Sequence, residues 1–175
     1  MRAIHCSQKL LKEIPDPVTD LNDVSVSNSG LGNWYSDIFK FNRKKYLIFT
    51  NERTLFSFFV YSVNRHDVET ISSLFSEKLK RYLQEFVHDE NRINRIISEY
   101  NEICFCKSDD STVAESMDFF IKIFESRLEF IDEVTDREIL IANIQVNTTP
   151  MAVLNYASPL RKLRDLIDKE YPAVS

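Results

Sequence analysis

Near Asp67 the spacing of apolar residues changes character. Upstream, WYSDIFKF (Trp34 to Phe41) and YLIFTNERTLFSFFV (Tyr46 to Val60) are rich in aromatic and β-branched residues and are broken by polar tetrads, the pattern of an antiparallel meander. Downstream, Val68, Ile71, Leu74, Phe75, Leu79, Tyr82, Leu83 and Phe86 recur at three-and-four spacing, which predicts an amphipathic helix packed on a core. Strands followed by helices predict an α+β fold: a small, mostly antiparallel sheet with several amphipathic helices packed on it.

Local signals place the other elements. AIHC (Ala3 to Cys6) reads as a short strand, and Ser7 caps a helix over Gln8 to Ile14 that Pro15 and Pro17 stop. Asp89 caps a helix burying Ile93, Ile96, Ile97 and Tyr100, after which EICFC returns to strand character. Thr112 with Glu115 forms a capping box for a long helix carrying Val113, Met117, Phe120, Ile121, Phe124 and Leu128. ILIANIQV (Ile139 to Val146) has β-branched content, but the Thr135 and Glu138 pair favours a helix. Ser158 and Pro159 open the last helix, which carries Leu160, Leu163, Leu166 and Ile167 and stops before Pro172.

The 175 residues suit one domain, 1–175, and the segment 15–33, which holds both glycines and two of the five prolines, reads as a mobile loop within it. The start, MRAIHCSQKLLKEI, lacks a signal-peptide core, and no apolar run nears the roughly eighteen residues of a spanning helix, so the expectation is a soluble cytoplasmic protein without membrane contact. The formal charge of −5 argues against nonspecific coating of nucleic acid.

Chemistry-bearing motifs are sparse. Gly30-Leu31-Gly32 lacks the strand before and helix after that a phosphate loop needs. Cys6, Cys104 and Cys106 lack zinc-knuckle spacing and a clear fourth donor, so they read as buried thiols, with no metal and no cofactor expected. Of the three histidines, His66 and His88 read as surface or helix-end residues, and only His5 has an interior setting. The carboxylates Glu129, Asp132, Glu133, Asp136 and Glu138 read as caps and solvated charges.

The basic run Asn42-Arg43-Lys44-Lys45, at the junction of two strands, is the sharpest candidate site. Charges there can simply guard strand ends. They can also bind an acidic protein or an anionic ligand, with Asn51 and Arg53 of the next turn and His5 as further candidates; nucleic acid is disfavoured by the overall charge. Asn51 suits the left-handed conformation that this next turn can require.

MRAIHCSQKLL, GNW, NRKKYLIFTNERTLFSFFV, ESM and TTPM together resemble a bacterial family of uncharacterised domains of this length. Its members open with Met-Arg-Ala-Ile-His-Cys, carry a Trp before a basic run and Leu-Phe-Thr-Asn, and have an Asn-x-Thr-Pro-Met segment near the end. The resemblance spans nearly the whole chain and implies no activity. The resulting reading is a binding or regulatory module. The alternative is an enzyme acting on a phosphate-containing or nucleic-acid substrate, which requires Arg43, Lys44, Arg53, Asn51 and His5 to converge in one basic cleft.

Overall fold

The computed structural model describes residues 1–15, 18–20, 22 and 25–173. Among them, strands β1 (Arg2–Cys6), β2 (Trp34–Phe41), β3 (Lys44–Asn51), β4 (Ser57–Val60) and β5 (Ile103–Lys107) form one mixed sheet in the spatial order β4, β3, β2, β1, β5. The meander β2, β3, β4 is antiparallel as its sequence predicts, whereas β1 is inserted parallel to both β2 and β5. The α+β class stands, and the parallel pairs add a crossover that no local pattern announces.

Seven α-helices accompany the sheet among the described residues: α1 (Gln8–Leu11), α2 (Arg65–Glu69), α3 (Ile71–Phe86), α4 (Glu90–Ser98), α5 (Ser111–Leu128), α6 (Asp136–Thr148) and α7 (Pro159–Glu170). Strand alternation sends Ile4, Trp34, Leu47, Phe49 and Phe58 to one face, where they pack with Phe75 and Leu79 of α3, Ile96 of α4 and Leu163 of α7. Tyr35, Tyr46, Ile48 and Phe59 face the other way, against Phe120 and Phe124 of α5 and Ala142 and Val146 of α6. Covered on both faces, β3 is buried from Tyr46 to Asn51, which explains its unbroken apolar run. The aromatic content is spent here: Phe59 stacks on Phe124 at 4.0 Å, and the Trp34 indole donates to Tyr100 Oη at 2.9 Å.

The free edge of β4 is closed by side chains. Asn143 Oδ1 accepts from Phe59 N at 3.0 Å, Tyr82 Oη donates to Phe59 O at 3.2 Å, and Asn147 pairs with both backbone groups of Ser57. An edge strand covered in this way offers no unpaired template to another chain.

Four local expectations need correction. The helix expected from Asp67 through Phe86 is two helices, because Asn64 and Asp67 form a capping box and the backbone breaks at Thr70. α5 begins at Ser111 with Asp110 as its cap, since the Asp110 carboxylate reaches Thr112 N and Val113 N and displaces the Thr112 box. α1 stops at Leu11, short of Ile14; the stop expected at Pro17 lies outside the described residues. Asn51 is extended at the end of β3, and Leu55 takes the left-handed conformation of that turn, with φ 58°.

The expected mobile loop also falls partly outside the described residues. Its described end is tied down: Arg2 donates to Ser27 O at 2.6 Å and Ser29 O at 2.8 Å, and Leu31 is buried. α6 and α7 match expectation, with Thr135 and Ser158 as caps.

Candidate functional site

Parallel pairing of β1 with β2 places His5 beside Tyr35. Their rings stack at 4.5 Å and 8°. On the other side β1 pairs with β5, and the chain leaving β5 brings Asp109 over the pair: Tyr35 Oη donates to Asp109 Oδ1 at 3.1 Å, and His5 Nδ1 lies 3.4 Å from the same oxygen. Burial and the Asp109 carboxylate both push the Tyr35 hydroxyl well above its usual range, so at neutral pH it is a proton donor.

Around this group opens a cavity of about 710 Å³ lined by His5, Tyr35, Asn33, Glu52, Asp109 and Asp110, with Val26, Asn28 and Ser111 at its margin. Asn33 positions the opposite wall. Its Oδ1 accepts from Ala3 N at 2.9 Å, its Nδ2 donates to Asn28 Oδ1 at 2.7 Å, and its backbone N donates to Glu52 Oε1 at 2.8 Å. Among the described residues, three carboxylates and no lysine or arginine line the cavity.

His5 is the strongest signal in the site. Its side chain is 8% exposed, yet Nδ1 completes no hydrogen bond. Buried polar atoms are ordinarily satisfied, so an orphaned ring nitrogen is an exception that asks for an explanation.

The other sequence candidates lie elsewhere. Arg43 occupies the two-residue turn between β2 and β3, with left-handed φ values at Asn42 and Arg43, and Lys44 is exposed beside it. Lys45 is paired with Glu13 at 2.6 Å. Arg53, at the opposite end of β3, donates to Gly30 O and faces Glu170 at 3.5 Å. Asn51 is fully buried and braces its own turn: Nδ2 donates to Leu31 O at 2.7 Å, while Oδ1 accepts from Thr54 N at 3.1 Å and Thr54 Oγ1 at 2.9 Å. The basic cleft required by the enzyme alternative is not assembled from these residues.

Cys104 and Cys106 share a face with Ala3, and Cys6 lies with Ile4 in the opposite core; all three are free and buried. Burial raises each thiol, Cys106 to about 12. Among the described residues no group of three or more His, Cys, Asp or Glu side chains is arranged to hold one metal ion, and no helix is long and apolar enough to cross a membrane. His66 and His88 are exposed.

Sequence reasoning found His5 and missed Tyr35, Glu52, Asp109 and Asp110. The Asp109-Asp110-Ser111 run just before a helix was the available signal for one wall, since consecutive Asp residues at a helix start serve as caps.

Fold and site define an α+β domain with an acidic cavity at the junction of its parallel and antiparallel strand pairs. The chain belongs to the family described as Domain of unknown function (DUF6933), whose family model matches residues 3–162. No curated protein matches the chain.

Proposed function

We propose that the chain is a small-ligand binding or regulatory module of the bacterial cytoplasm, acting as one domain over residues 1–175, with its ligand site in the cavity around His5, Tyr35 and Asp109. The observation that carries this reading is the unsatisfied, buried His5 Nδ1 in the wall of this cavity. Leaving such a group unpaired costs about 1–3 kcal/mol, which a ligand supplying the missing partner recovers. Asp109, with a side chain 67% exposed, can move onto a ligand without disturbing the core. The reading requires no cofactor and no membrane.

The test is a thermal-shift screen of polar metabolites on the wild type and Asp109→Asn. A ligand of this site raises the wild-type Tm by several degrees and the variant's far less. Ligands that stabilise both proteins equally contradict the assignment.

A second reading keeps the basic turn as a site for an acidic protein or anionic ligand, favoured because Arg43 and Lys44 are exposed and form no ion pair among the described residues. Replacing Arg43, Lys44 and Lys45 together by alanine abolishes such binding, and retention of every partner by the triple variant removes this reading.

A further inference from the structure

We infer that the ligand of this cavity is a small organic cation, of the guanidinium or polyamine class, held by Glu52, Asp109 and Asp110. The inference rests on the proposed binding site and adds the chemistry of its occupant.

Each of the three carboxylates is anchored through one oxygen and leaves the other without a hydrogen bond among the described residues. Glu52 Oε1 accepts from the backbone N of Asn33 at 2.8 Å and from Asn33 Nδ2 at 3.2 Å. Asp109 Oδ1 accepts from Tyr35 Oη at 3.1 Å, and Asp110 Oδ1 accepts from Thr112 N at 2.8 Å and Val113 N at 3.2 Å. The tethers orient the carboxylates, and the second oxygens are left as strong acceptors. Among the described lining residues no lysine or arginine offsets their charge.

The arrangement of these groups bears on which cation they suit. They are not arranged to surround one metal ion, and all three line a cavity of about 710 Å³. A guanidinium with its forked N–H donors, or an amine with two or more nitrogen centres, distributes donors in the same way. The independent sign that the cavity awaits a partner is His5, nine-tenths buried with Nδ1 unpaired.

The inference is tested by NMR titration of the full chain with agmatine and spermidine, set beside magnesium chloride, inorganic phosphate and glucose. The expected result is saturable shifts at the amides of Tyr35, Glu52 and Asp109 to Ser111 with agmatine or spermidine. Binding weakens about tenfold in each of Glu52→Gln, Asp109→Asn and Asp110→Asn, as expected for loss of a charge-assisted contact. Asn caps helices as well as Asp, so Asp110→Asn keeps α5 in place, which the dispersion of its spectrum verifies.

Saturable binding of phosphate or glucose at these amides, with none by the amines, overturns the cation assignment while leaving the binding site standing. Magnesium that saturates the same amides and displaces the amine overturns it in favour of a metal. Amine binding unaffected by all three variants overturns it, as does failure of both amines to bind. In the last case the thermal-shift screen decides separately whether the cavity is a site.

Discussion

Asn147 on α6 forms two hydrogen bonds with the backbone of Ser57 on β4, accepting from its N–H at 2.8 Å and donating to its carbonyl at 2.6 Å. A helix side chain thereby stands in for the strand that β4 lacks on its outer edge. Both groups are buried, so Asn147→Ala leaves two backbone groups unpaired, at a cost of about 1–3 kcal/mol each. Urea denaturation is expected to show a loss of roughly 4 kcal/mol, the middle of the combined range for two groups. A loss below about 1 kcal/mol would mean that water replaces the amide easily. Asn143→Ala should cost less, since Asn143 Nδ2 already lacks a partner.

Gly30 has φ 57°, and a Cβ added there would collide with Tyr171 Oη and with the Glu99 carboxylate. Tyr171 also accepts from Leu31 N at 3.0 Å, so the substitution pushes apart the contact that holds this loop against α7. Gly30→Ala is expected to destabilise by about 1–2 kcal/mol from the left-handed backbone alone, before any clash. Unchanged stability in the same urea experiment would contradict the described loop.

The turn at Asn42 and Arg43 has φ 47° and 65°, with Phe41 paired to Lys44 across it. This is the geometry that Asn-Gly satisfies most easily. Arg43→Gly should therefore stabilise the protein, by about 0.5–1 kcal/mol. A destabilised variant would show that the arginine side chain makes contacts worth more than its backbone strain.

Burial, followed by the neighbouring Cys104 and Asp109, pushes the Cys106 thiol from 9.0 to about 12. Above pH 9 the unfolded chain has released a proton that the folded protein keeps, so this contribution is intact below pH 9 and is lost as pH rises from about 9 toward 12. Melting curves between pH 8 and 11 should show Tm falling less steeply in Cys106→Ala than in the wild type. Parallel pH profiles would contradict the assignment. In the native protein at pH 8, Cys106 should also react with thiol reagents far more slowly than in urea.

The parts of this architecture that local chemistry determines were legible in the sequence. Asp89, Thr135 and Ser158 cap their helices as their side chains predict, and the β2, β3, β4 meander follows its aromatic and β-branched pattern. Asp110 was missed as a cap because Thr112 and Glu115 offer a competing box two residues later. The site was less legible. His5 stood out as the interior histidine, but Tyr35 and Asp109 join it through parallel pairing of β1 with β2 and β5, and Glu52 through the antiparallel pairing of β2 with β3, all of which depend on contacts between distant segments. The basic run drew attention by charge alone, and charge is equally at home on a solvated hairpin turn.

The most direct test of the account is calorimetric titration of agmatine into the wild type and into Asp109→Asn at low ionic strength. The account predicts saturable one-site binding to the wild type and an affinity about tenfold weaker in the variant, the equivalent of roughly 1.4 kcal/mol. Equal affinities, or no heat of binding to the wild type, would contradict it.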